Sequence, residues 1–382
     1  MRIINIGIVD ADLIGKKNHR FPNLACMKIS SHEKSLGNNV EIVTDYGQIN
    51  AYDRVYISKV FTDTCVPEDV LHLPNVCYGG TGFFYDKATP LPDQIEHSMP
   101  DYHLYDIWVN EQIANGTKAT QLKYYTDYSI GFLTRGCFRQ CEFCVNKNYR
   151  KVSVHSPLKE FWDASRPKIC LLDDNFFGCH EWKRMLTELK ETNVPFQFKQ
   201  GLDERLLTDE RCEMLFSSKY DGDFIFAFDN VADYDLIEQK LKLIRVHTHK
   251  TPKFYVLCGF DRNDHWDKSF WEQDLWDLWI RIELLMRYGC LPYIMRYNRY
   301  VESPYAGIYV TMARWCNQPS FFKKMSLREF VLADNVGKKI VSASTRYLCK
   351  VEQEVPELAQ TYFDIKYTDK ILCVPSSTTT AA

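Results

Sequence analysis

Leu133-Thr134-Arg135-Gly136-Cys137-Phe138-Arg139-Gln140-Cys141-Glu142-Phe143-Cys144 carries three thiols at the spacing Cys-x3-Cys-x2-Cys. Three thiolates this close can wrap one face of a [4Fe–4S] cluster, whose iron prefers soft sulfur donors. No fourth cysteine lies nearby, so one iron would keep an open coordination site, which chemistry at a cluster requires. Gly136 suits a loop that turns tightly around a bulky group. Structural zinc is the competing reading, but it ordinarily takes four Cys/His ligands in two pairs. Here there is no second Cys-x2-Cys pair, and the nearest downstream histidine is His155. Chance core cysteines would leave the flanking Gly136, Arg139 and Phe143 unexplained.

The motif follows the first of a series of short apolar runs: Ser129–Thr134, Lys168–Asp173, Pro195–Gly201, Asp223–Asp229, Lys253–Gly259 and Leu291–Tyr297. Helical candidates alternate with them at Leu158–Ser165, Glu181–Thr192, Asp209–Ser218, Asp235–His247 and Phe270–Tyr288. In the last, Leu275, Leu278, Trp279, Ile282, Leu285 and Met286 keep a helical period. The runs start roughly 30 residues apart, the length of a βα unit. Six such units predict a parallel barrel, complete or partial, over 121–300. Right-handed crossovers would bring every strand's C-terminal end to one face. Polar residues stand at those ends: Asp173-Asp174-Asn175, Gln200-Gly201-Leu202-Asp203-Glu204-Arg205, Asp229-Asn230 and Arg296. Capping and loop polarity account for any one of them; four together point to a site.

Upstream, residues 1–120 read as a separate α/β domain of the Rossmann or flavodoxin-like kind. Arg2–Val9, Val40–Thr44, Arg54–Ser58 and Asn75–Tyr78 are expected strands, and Leu24–Leu36 an amphipathic helix. Pro90–Tyr105 reads as a connector. Downstream, residues 301–382 form a small, mostly helical extension, with helices expected at Ile308–Trp315 and at Ser326–Val331, the second capped by Ser326. Ser376–Ala382 reads as a disordered tail.

Composition narrows the class. Of 382 residues, 45% are apolar and 25% charged, which is globular. A net charge of −3 gives no strong nucleic-acid signal. No apolar run approaches a membrane span, and the N-terminus lacks a signal-peptide pattern, so a cytoplasmic protein is expected. Of the fourteen cysteines, the eleven outside the motif show no close pairs and read mainly as packing, Cys77, Cys170 and Cys258 as core strand residues. A second cluster from Cys316 and Cys349 is the lesser alternative. Trp271, Trp276 and Trp279 read as barrel packing rather than a base-stacking platform.

The Cys137-x3-Cys141-x2-Cys144 motif, with Phe143 before its last cysteine, resembles the signature of the radical S-adenosylmethionine (SAM) superfamily. The resemblance implies that Cys137, Cys141 and Cys144 bind the cluster and that SAM chelates its open iron. One electron, from a donor such as flavodoxin or ferredoxin, then cleaves SAM to methionine and a 5′-deoxyadenosyl radical that abstracts a substrate hydrogen. It further implies SAM contacts from Asp173, Asp174 and Asn175, where the family carries a Gly-Gly-Glu-like motif that this chain lacks. Gln200, Asp203 and Arg205 are implied for the ribose and carboxylate, Gly259 for adenine, and Phe143 for packing on adenine or shielding the cluster. Together with Tyr78-Gly79-Gly80-Thr81-Gly82 and Gln200-Gly201-Leu202-Asp203, the motif also resembles a bacterial and phage subgroup with an N-terminal cobalamin-binding-like domain. Many cobalamin domains carry Asp-x-His-x-x-Gly after the first strand. This chain has Asp10-Ala11-Asp12-Leu13-Ile14-Gly15, and a carboxylate is a poor substitute for imidazole on cobalt. The expectation is a degenerate domain, with cobalamin unlikely. Gly79–Gly82 reads as a tight turn, with a phosphate cradle as the alternative.

Hydrogen abstraction from an unidentified substrate by a radical SAM enzyme is thus the leading expectation, with no catalytic side chain assigned. A cobalamin-dependent radical SAM methyltransferase is the variant reading. A zinc- or cluster-stabilised nucleic-acid-binding module without catalysis is the alternative of another class.

Overall fold

The computed structural model describes residues 2–17, 19–147, 149–333 and 341–370. The expected tail, 376–382, lies outside the described residues. The chain divides into two compact units, with the break between Gln200 and Gly201.

The first unit opens on a four-stranded parallel sheet. Strand β1 (Asn5–Asp10) lies between β2 (Asn39–Ile42) and β3 (Arg54–Ser58), with β4 (Val76–Gly79) beyond β3, giving the order β2-β1-β3-β4. Side chains alternate across a strand, so β1 serves two cores. Ile6 and Ile8 pack with Cys26, Met27 and Ile29 of the helix Leu24–Ser35. Val9 packs with Val43, Val55, Ile57 and Val70. Gly7 faces this second layer, where an added Cβ would lie 3.0 Å from Val43. Burial on both faces is the expected state of a central parallel strand. The edge strand β4 is half covered, and Cys77 is consequently exposed, not core as expected.

The connector expected at Pro90–Tyr105 is instead part of the fold. Tyr102, Leu104 and Tyr105 are buried in the same core as Ile6 and Ile8. The Tyr102 hydroxyl accepts from Ile130 N at 2.8 Å, and buried Arg166 donates to the carbonyls of Tyr102 and Tyr125 at 2.8 and 2.9 Å. Large aromatic side chains in a proline-containing segment gain more from burial than a linker would.

Next come β5 (Tyr128–Gly131), the two-residue β6 (Thr134–Arg135) and β7 (Ser153–Val154), then β8 (Lys168–Leu171) and β9 (Phe196–Phe198). Strands β5, β8 and β9 form a parallel sheet in that order, while β6 and β7 pair antiparallel. The helix Trp182–Glu191 links β8 to β9. The helix expected at Leu158–Ser165 shortens to a single turn, Leu158–Glu160. Asp163 accepts from both the backbone N–H and the hydroxyl of Ser165, a local turn that competes with helix.

In the second unit β10 (Ile225–Ala227), β11 (Lys253–Cys258) and β12 (Leu291–Arg296) form another parallel sheet in sequence order. The six expected strands therefore exist and fall into two three-stranded sheets. The helix Lys268–Arg287 buries Trp271, Leu275, Leu278, Trp279, Ile282 and Leu285, as its period predicts. Trp279 stacks on Tyr362 at 5.4 Å, which fixes the C-terminal helices to this unit. Ala306–Cys316 and Leu327–Ala333 are helical, and Ser326 and Glu329 exchange backbone-to-side-chain hydrogen bonds as a capping box. Among the described residues no helix is long and apolar enough to cross a membrane.

Candidate cysteine-loop site

The cysteine loop leaves β6 and returns to β7, so the antiparallel pair closes its base. Gly136 has φ +97°, and a Cβ there would lie 2.1 Å from the Lys151 carbonyl oxygen. Glycine is required both by that close approach and by the left-handed backbone. Cys137 N donates to Tyr149 O at 3.2 Å, and Cys144 N to Cys141 O at 2.9 Å. Gln140, with φ +49°, donates from Nε2 to Cys137 O at 2.8 Å. Lys147 Nζ donates to the carbonyls of Cys141 and Gln140.

Cys137, Cys141 and Cys144 are all half-buried. Three N–H groups point at their sulfurs: Arg139 N and Asn175 Nδ2 at Cys137 Sγ, and Asn146 N at Cys144 Sγ, each at 3.4 Å. Soft thiol donors that receive N–H groups fit an iron–sulfur cluster, whose sulfurs are ordinarily hydrogen-bonded. Among the described residues no group of three or more His, Cys, Asp or Glu side chains already converges on a metal position.

The strand-end motif after β8 turns onto this loop. Asp173 is fully buried, and its carboxylate accepts from Leu133 N at 3.2 Å, Thr134 N at 2.6 Å and the Thr134 hydroxyl at 2.7 Å. Burial pushes its pKa up to about 7 against the pull of those bonds. Asp174 accepts from Gly136 N at 2.9 Å and from the Asn146 side-chain amide. Phe143 is half-buried, and its carbonyl accepts from the Tyr85 hydroxyl at 3.4 Å. Gln200 is exposed at the end of β9.

The remaining expected site residues belong to the second unit. Arg205 Nε lies 2.7 Å from Asp203 Oδ1, and Nη1 lies 3.1 Å from Asp233 Oδ2. Burial opposes its charge, but Asp203, Glu204 and Asp233 outweigh that and hold its pKa above the usual value. Glu204 is buried, accepts from Ala227 N at 3.1 Å, and is pushed by burial up to about 8. Gly259, at φ +73°, donates to Asp274 at 3.0 Å, which in turn accepts from Tyr309.

Sequence reading missed Asn146, Lys147 and Tyr85. The first two directly follow the motif, but spacing carries no sign that they fold back onto it. Tyr85 follows the Gly79–Gly82 run and belongs to an apolar shelf at the C-terminal ends of β3 and β4. Val60, Phe61, Tyr78, Phe84 and Tyr85 are each 42–50% exposed there. Gly80, at φ +107°, lets this turn press against the Lys59 carbonyl, and Gly82 N donates to the same oxygen at 2.9 Å. The glycines therefore serve the chain's own backbone approach, as a tight turn does.

Asp12, the residue at the cobalt-ligand position of the motif, is buried and committed elsewhere. It accepts from Val60 N at 2.7 Å, Phe61 N at 3.4 Å and the Thr64 hydroxyl. It is not available as a metal ligand, whereas the shelf offers exposed apolar surface, with the Tyr78 and Phe84 rings stacked at 5.8 Å.

Of the other cysteines, Cys170, Cys258 and Cys316 are buried, and burial raises the thiol pKa of Cys258 and Cys316 well above the ordinary value. Cys349 is exposed, and Cys373 lies outside the described residues.

No model of a known protein family matches the sequence, and no curated protein matches it. Among solved structures the chain is similar to the radical SAM methyltransferase TsrM from Kitasatospora setae, solved with cobalamin and a [4Fe–4S] cluster bound. The match covers 77% of this chain and 75% of that one, at 11% identity and a TM-score of 0.52. A second match, to the cobalamin-dependent SAM radical enzyme OxsB with aqua-cobalamin and SAM bound, covers 94% of this chain but 56% of that one, at 11% identity. Its TM-score of 0.35 is too low to establish a common fold. At a TM-score of 0.52 the chain shares the overall fold of TsrM. The expectation that cobalamin is unlikely runs against TsrM, which carries cobalamin together with a cluster on a similar fold.

Proposed function

We propose that the chain is a cobalamin-dependent radical SAM enzyme, most simply a methyltransferase, acting on a substrate its residues do not yet identify. The observation that carries the reading is the junction of cysteine loop and apolar shelf: the Tyr85 hydroxyl bonds the carbonyl of Phe143, inside the loop. In this reading residues 1–120 form the corrinoid-binding-like domain, 121–300 the partial barrel and 301–382 the helical extension. When bound, the cluster supplies the electron for cleaving SAM, and the corrinoid supplies a methyl-carrying cobalt.

The chain's own residues do the holding. Cys137, Cys141 and Cys144 would supply the thiolates for the cluster. Phe143 shields them from water, while Gln200, Asp203, Arg205 and Gly259 serve SAM. The Arg205–Asp203 pair offers a guanidinium for a carboxylate beside an acceptor for hydroxyls. The shelf would hold the corrinoid, and Asp12 would take no part in binding the metal because its oxygens hold Val60, Phe61 and Thr64. An external donor such as flavodoxin or ferredoxin provides the electron.

Anaerobic reconstitution of the full chain with iron, sulfide and hydroxocobalamin tests this. The expected product is brown, holds about four iron and four sulfide per chain, keeps corrinoid absorbance through gel filtration, and consumes SAM on reduction. Iron with SAM cleavage but no retained corrinoid returns the protein to cobalamin-free hydrogen abstraction. Zinc alone, without SAM cleavage, leaves only a binding module.

A further inference from the structure

The Asp-Asp-Asn motif after β8 faces the cysteine loop with all three side chains. Asp173 fixes Leu133 and Thr134, where β6 leads into the loop. Asp174 joins Gly136, the residue before Cys137, to Asn146, two residues after Cys144. A single carboxylate thereby closes the loop across all three cysteines. Asn175 directs its amide N–H at Cys137 Sγ. The turn that follows backs the same loop, since a Cβ on Gly178 would lie 2.9 Å from the Phe138 ring and 2.7 Å from Val152.

We infer that Asp174 and Asn175 are positioning residues of the cysteine loop: Asp174 clamps its two ends in register before any cluster is present, and Asn175 sets the potential of the loaded cluster. The clamp follows from geometry, because hydrogen bonds to an ionised carboxylate are stronger than neutral ones. The tuning follows from charge. Reduction places negative charge on the cluster and its thiolates, so an N–H donated to sulfur favours the reduced form and raises the potential. This second part rests on the reading of the loop as a cluster site; the first does not.

Two measurements on the full-length chain decide it. In metal-free protein, Asp174→Ala should speed hydrogen exchange of residues 136–147 about tenfold or more, with β1–β4 unchanged. Asp174→Asn, which keeps one acceptor oxygen, should fall between variant and wild type, and stands in if the alanine variant does not fold. In reconstituted protein, Asn175→Ala should hold as much iron as wild type, with its cluster potential shifted to more negative values in a redox titration followed by electron paramagnetic resonance. Unchanged exchange overturns the clamp, and an unmoved potential overturns the tuning. A wild-type chain that takes up no iron sinks the cluster reading and the role of Asn175 with it, while exchange still decides the clamp.

Discussion

Asp10, the last residue of β1, and Asp12, two residues on, do different work. Asp12 spends its oxygens on the 60–64 loop. Asp10 lies in a buried polar network in which Tyr105 donates to it at 2.9 Å and Tyr105 in turn accepts from Asn23 N at 3.1 Å. Burial raises the Asp10 pKa from 3.8 to about 7, in spite of the Tyr105 bond. Between those values the folded chain keeps a proton that the unfolded chain has lost, so this group's contribution to stability falls as pH rises through the window. Asp10→Asn, which cannot ionise, should gain on wild type from pH 4 to pH 7.5, by at most ~4 kcal/mol. Urea unfolding of both proteins at the two pH values checks this; an identical difference at both would show that Asp10 is ionised throughout.

At the scale of elements, the helix Leu24–Ser35 shows how sequence and packing divide the task. Asn23 caps it by accepting from Cys26 N at 3.3 Å, a local bond that a short polar side chain makes at a helix start. Its amide also donates to Ser58 Oγ at 2.9 Å, tying the helix start to the end of β3. That partner is not legible, because it lies 35 residues away. Asn23→Ala should therefore cost ~2 kcal/mol, more than a cap alone, and Asn23→Ser should recover only the cap share in chemical unfolding. The cysteine loop follows the same division. Its three cysteines and Gly136 were plain in the sequence. Its closure by Asp174 was not, because a carboxylate at a strand end looks the same whether it faces a ligand or a neighbouring loop.

At the scale of the whole molecule, each unit has its own internal ties. In the second, buried Arg281 reaches the carbonyls of Phe228, Asp229 and Leu257 at 3.1, 2.9 and 2.8 Å, holding the ends of β10 and β11. Arg281→Met would strand those acceptors and should destabilise the unit by ~3 kcal/mol or more. Amide protection should drop in β10–β12 and persist in β1–β4; loss in step would mean that the chain opens as one cooperative body. The sequence by itself determined the parallel strands, the long amphipathic helix and the three-cysteine motif, because period and spacing are local and survive in one dimension. Only the tertiary structure decided that Pro90–Tyr105 is core, that Asp12 is a loop anchor, and that Asp173, Asp174 and Asn175 turn onto the cysteine loop. Those outcomes depend on which distant groups are desolvated together, and burial is a property of the folded chain.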